Sequence, residues 1–153
     1  MISESSRAAD QLRRAFDGKA WHGPSIRELL SDVKAAQANA HPVAGAHSIW
    51  ELVLHIDVWT RAAWGATQGT PMPKIVGTPE DWPAVTDASP TAWNDAVRRL
   101  FETKDQLAAA IERFDDDRLK EIVPGRTYDF YHLFHGITQH SLYHAGQIAL
   151  LKK

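Results

Sequence analysis

No cysteine occurs in the 153 residues. That excludes disulfides, thiolate metal ligands and a nucleophilic Cys together, so any metal must be held by His, carboxylate or water. Nor does either sign of charge dominate: 17 Lys and Arg face 19 Asp and Glu, for a formal net charge of -2. With no cluster of basic residues to gather phosphates, nucleic acid is not an expected partner. Long apolar runs are missing too. Ile148–Leu151 falls far short of the roughly 20 residues of a membrane span, and Met1 to Arg14 has no apolar signal region. The expectation is a cytoplasmic protein with no membrane contact, forming a single domain over residues 1–153. What the chain does have is eight His and six Trp.

Helix signals and breakers organise the rest. Ala8, Leu12 and Phe16 fall at helical spacing within Ser6 to Phe16, before the breaker stretch Asp17 to Pro24. Pro24 suits the first turn of a short helix with Ile26, Leu29, Leu30 and Val33 on its apolar side. Ser48-Ile49-Trp50-Glu51 fits a capping box and predicts a helix to about Trp64, with Ile49, Leu52, Ile56, Trp59 and Ala63 on one face. By the 100° step His55 lies in that face and points inward. Residues Gly65 to Ala88 have no sustained period and read as a long crossover. Ser89-Pro90 opens a third long helix, reaching about Phe114, whose buried stripe is Trp93, Val97, Leu100, Ala108 and Ile111. Lys104 shares that stripe and is expected to cover the core with its methylenes while its ammonium reaches solvent. The last helix runs from about Tyr128 to the C-terminus with Phe130, Leu133, Phe134, Ile137, His144, Ile148 and Leu151 on one face and His140 at its edge. Lys152 and Lys153 complement its dipole. The fold class is all-α, most simply a four-helix bundle.

His140 and His144, at i and i+4, place two imidazoles on adjacent turns, where both can reach one ion. His55 is the third candidate, inward-facing on another helix. Three neutral imidazoles suit Zn, Ni, Cu or Fe far better than Ca or Mg and leave coordination positions open. Taken singly, each is more often a hydrogen-bonded core residue. Together, three buried imidazoles without an ion would need three sets of partners, at about 1–3 kcal/mol for each group left unsatisfied. His47 either lines the mouth of the site or is a solvated residue before the helix. Glu51 is a candidate base, although the capping box already accounts for it. Gln147, three residues after His144, is a candidate outer-sphere donor or a core-edge amide. His22, His41, His132 and His135 lie near breakers or off the apolar stripe and are left out of the ligand set. A carboxylate-bridged di-iron site would need paired Glu-x-x-His motifs, which neither metal helix has.

Three stretches together resemble the DinB-like superfamily, which includes YfiT-like metal-dependent hydrolases and thiol-dependent S-transferases. They are Ala20-Trp21-His22-Gly23-Pro24-Ser25, then His47-Ser48-Ile49-Trp50-Glu51-Leu52-Val53-Leu54-His55, and Gln139-His140-Ser141-Leu142-Tyr143-His144-Ala145-Gly146-Gln147-Ile148. The resemblance implies a bundle in up-down-down-up order with a long crossover between its second and third helices. It also implies His55, His140 and His144 as the metal ligands. It further implies Zn or Ni, a homodimer, and a low-molecular-weight thiol such as bacillithiol or mycothiol as co-substrate.

The expected function is therefore a metal-dependent enzyme whose ion activates a water or an external thiol for hydrolysis or S-transfer of a small molecule. Without Cys, the chain cannot supply the sulfur itself. The rival reading is a non-catalytic metal-binding or stress-response module that keeps the helices and turns over nothing.

Overall fold

Short polar side chains start nearly every helix. The computed structural model describes residues 2–153, and in it α1 (Glu4–Asp17) begins where the Ser3 side chain accepts from the Ser6 amide. A reciprocal capping box opens α2 (Ile26–Leu30), with Ser25 accepting from the Glu28 amide and Glu28 accepting from that of Ser25. Pro24 consequently lies before the cap rather than in the first turn. A single turn, α3 (Ala35–Ala38), follows and is too short to leave a periodic signal. The Ser48–Glu51 box is formed as expected and opens α4 (Ile49–Thr67), with distances of 3.1 and 2.7 Å for its two bonds. Ser89 caps α5 (Pro90–Glu112), Pro90 takes its first turn, and Asp129 caps α6 (Phe130–Leu151). A 3₁₀ turn over Asp116–Lys120 lies between these last two helices. Among the described residues there is no strand, so the chain is all-α, and no helix is long and apolar enough to cross a membrane.

The long helices bury the faces that the sequence periodicity marks. α1 and α4 each pack on both α5 and α6. Ile49, Leu52, Ile56 and Ala63 of α4 meet Trp93, Leu100, Ala108 and Ile111 of α5 in one continuous core with Phe130, Phe134, Ile137 and Ile148 of α6. Burying each large apolar side chain contributes roughly 1.5–3 kcal/mol, which is what holds short-capped helices together. Trp50 and Trp93 are both buried, their rings 5.2 Å apart, whereas Trp21 is fully exposed.

Two lysines depart from expectation. Lys104 is only 1% exposed. Its ammonium does not reach solvent; it donates to Asp17 at the end of α1 and to Asp105, both at 2.6 Å. The methylene stem covers the core as expected, but partners contributed by the fold replace water at the tip. Lys152 donates to the Leu29 carbonyl at 2.7 Å and to Asp32, so its charge serves the end of α2 and ties the C-terminus to it.

The crossover after α4 is pinned at one point that matters for the site. The Met72 amide donates to the Pro124 carbonyl at 2.9 Å, and Arg126 donates to the Met72 carbonyl at 3.0 Å. Gly125 makes this approach feasible: its φ is +79°, and a Cβ there would stand 3.0 Å from the Met72 carbonyl oxygen.

Candidate metal centre

His55 faces inward from the second turn of α4 and is held from outside the helix. Its Nδ1 donates to the backbone carbonyl of Asp81, at 2.6 Å. The Asp81 carboxylate lies 3.2 Å from the same nitrogen and also accepts from the Trp59 indole at 3.0 Å. The next residue, Trp82, lays its indole parallel to the His55 ring at 3.8 Å and to the His47 ring at 3.5 Å. Two rings stacked so closely on one indole must take its opposite faces. The aperiodic crossover thus supplies both the hydrogen bond and the flat wall that orient His55.

One helix turn apart on α6, His140 and His144 meet it. His140 Nε2 stands 3.0 Å from His55 Nε2 and 3.1 Å from His144 Nε2. His144 Nδ1 donates to the Gln147 side-chain oxygen at 2.6 Å. These partners dictate the tautomers: with protons on Nδ1 of His55 and His144, both Nε2 atoms present lone pairs. Only His140 has a hydrogen left to offer. Placed on Nε2, it must be shared between two acceptors; placed on Nδ1, it is buried with no partner, because that atom has none. Neither choice satisfies the group.

A proton is not a good substitute for an ion here. Burial, reinforced by the neighbouring His144 and His55, pushes the His140 imidazole down to about 3. Burial likewise holds His55 and His144 below the ordinary range, although the Asp81 carbonyl and the Gln147 oxygen pull the other way. All three rings therefore stay neutral near pH 7 with their lone pairs available. The three side chains each offer a nitrogen, all within 4.8 Å of one another, and could hold a metal ion. Nitrogens about 2.0–2.1 Å from a shared ion present separations like those found here. The residues fit the group.

The remaining candidates are distributed around this trio. Glu51 accepts from the Ser48 amide and faces His41 at 3.1 Å and His47 at 3.4 Å, and it does not border the cavity on which the three imidazoles open. Those contacts hold its carboxyl low against the opposing push of burial. Gln147 acts through its oxygen, as an acceptor for His144 rather than as a donor. His47 is exposed yet stacked on Trp82, so it stands one ring away from His55. His22 and His41 are exposed, and His135 is half-buried with its ring against Tyr131. His132 is exposed but borders the cavity described next, a position its place off the apolar stripe did not suggest.

A cavity of about 440 Å³ opens directly on the trio. Met72, Val76 and Tyr128 wall it on the crossover side, and Leu133, Ile137 and Tyr143 on the α6 side. The site thus joins three lone-pair nitrogens to a space large enough for a small molecule.

Helices contributing three converging imidazoles beside an apolar cavity define a helical protein with a candidate three-His metal centre. The family model of the DinB superfamily matches residues 20–148, and the chain belongs to that superfamily. No curated protein and no solved structure matches the chain.

Proposed function

We propose that His55, His140 and His144 hold one divalent transition-metal ion, Zn or Ni, and that the chain is an enzyme acting on a small molecule by hydrolysis or by S-transfer from a low-molecular-weight thiol. The observation that carries this reading is the meeting of three Nε2 atoms with one hydrogen among them. When bound, such an ion supplies Lewis acidity that brings proton loss from a ligating water or thiol toward neutral pH. The protein's own residues do the rest. Asp81 and Gln147 fix the tautomers and ring planes of His55 and His144 from behind. Trp82 keeps water off the back of His55, and Met72, Ile137 and Leu133 keep it out of the cavity wall. We assign Glu51 to the helix cap and His47 to the support of Trp82. With no Cys in the chain, the sulfur of an S-transfer comes from outside.

The same reading includes a four-helix bundle in up-down-down-up order. Its support is that like ends of α4 and α5 meet, through Trp50 with Trp93 and through Asp57 3.8 Å from Arg99, while α1 runs the other way along α5: Ser5 near its start bonds Asp116 just beyond the end of α5, and Asp17 at its end bonds Lys104, well back from that end. It also includes a homodimer, favoured by the exposure of Trp21, Tyr143 and Leu150.

The test is a thiol series assayed with electrophilic acceptors on untreated protein. Rates that rise with added metal and vanish in His144→Ala are expected. A folded His144→Ala protein with full rate removes the metal from the mechanism, and a metal-loaded protein that turns over neither thiol nor water substrates favours the non-catalytic module.

A further inference from the structure

The cavity carries a charge signature that the trio alone does not imply. Among its described lining residues there is no Lys and no Arg, and the only carboxylate is Asp81, itself 9% exposed and already accepting from Trp59. Besides the trio and the exposed His132, the walls are ring faces and aliphatic groups: Trp59, Tyr128 and Tyr143 against Met72, Leu133 and Ile137. Two cations lie close in sequence to the lining and neither enters it: Arg126 spends its guanidinium on the carbonyls of Met72, Pro73 and Gly125, and the exposed Lys74, between Met72 and Val76, lines a separate pocket. Away from any ion held by the trio, an anionic ligand would meet the Asp81 carboxylate, no Lys or Arg, and little polar surface to replace its water. An uncharged aromatic ring would lose nothing of that kind and gain the stacking and dispersion of the walls.

We propose that the cavity selects a small uncharged ligand built on an aromatic or similarly apolar body, and discriminates against ligands carrying a carboxylate, phosphate or sulfonate away from the trio. This deepens the proposed function, on which it rests for the assumption that this cavity is where the substrate sits. Volume sets the size class: about 440 Å³ admits one substituted ring with a short side chain, near the lower end of small-molecule sites.

The test compares 4-ethylphenol with 4-ethylbenzenesulfonate by isothermal titration calorimetry on the untreated full chain. The sulfonate is a poor ligand for transition metals, so attraction to any bound ion does not mask the walls. At least tenfold tighter binding of the phenol is expected. Val76→Lys places a cation at the rim on an exposed crossover residue, where folding is not at stake. It should narrow the ratio several-fold by helping the sulfonate. Equal or tighter binding of the sulfonate by the natural chain overturns the proposal, and so does a ratio that Val76→Lys leaves unchanged. Failure to bind either probe also overturns it. Metal content measured on the same batch keeps this separate from the function proposed above: a metal-free protein that still prefers the phenol sinks the enzyme reading and leaves the selectivity standing.

Discussion

Replacing Gln147 with Leu removes one acceptor and should weaken the metal binding proposed for His144. The Gln147 oxygen stands 2.6 Å from His144 Nδ1, and His144 is 6% exposed, so no bulk water takes its place. Leaving a buried N–H unpaired costs about 1–3 kcal/mol, which corresponds to roughly 5- to 150-fold in an equilibrium constant. Loss of an outer-sphere partner of a metal-binding His typically weakens affinity about 10–100-fold. The two ranges agree, so a 10–100-fold weaker Zn affinity is expected for Gln147→Leu, read by competition with a chromophoric chelator near neutral pH. Gln147→Glu keeps an acceptor at the same place and should retain wild-type affinity or better. In the metal-free variant the His144 hydrogen can move to Nε2, with His140 Nε2 3.1 Å away as acceptor, so the cost falls on the metal-bound state and the melting temperatures of the metal-free proteins should differ little. A folded Gln147→Leu protein that binds Zn within twofold of wild type would refute the argument that this oxygen fixes the His144 ring.

Other expectations concern the supports of the site and the core. Trp82→Ala uncovers one face of His55, and chelator should strip metal several-fold faster from that variant than from wild type; unchanged rates would deny the indole its shielding role. Lys104→Met keeps the volume of a buried stem and leaves Asp17 to Arg27, so it should cost less than about 1.5 kcal/mol. Lys104→Ala opens a cavity as well and should cost about 2–4 kcal/mol by urea denaturation; equal losses in the two variants would contradict this. Burial raises the Asp17 carboxyl, but the hydrogen bonds from Lys104 and Arg27 outweigh it and hold the group below the ordinary carboxylate range. A carboxyl whose folded value is depressed adds stability above its unfolded value, about 3.9, and loses it as pH falls through the folded one. Asp17→Asn should therefore destabilise at pH 7 and converge on wild type in acid, as denaturation midpoints at the two pH values would show.

The convergence of His55, His140 and His144 was legible because helical periodicity alone turns them toward one core, and because i, i+4 spacing fixes the relation of the last two. The Ser48–Glu51 cap and the Ser89-Pro90 start were equally readable, since capping depends on neighbours in sequence. The Ser25–Glu28 box carried the same local signal and was hidden by the adjacent Pro24, which competes for the first turn. Asp81 and Trp82 were not legible. They act from an aperiodic crossover, where nothing in the sequence tells which residue folds back against α4. Lys104 shows the same limit in miniature: its place on the stripe follows from periodicity, but its partner Asp17 belongs to another helix and becomes visible only in the packed molecule.

The most direct measurement is metal content by mass spectrometry on protein purified without chelator or a His affinity tag, paired with anomalous scattering at metal edges from its crystals. About one Zn or Ni ion per chain is expected, with the anomalous peak between the Nε2 atoms of His55, His140 and His144. A well-folded protein holding far less than one ion per chain, with those three rings bonded to nearby carbonyls instead, would contradict the account.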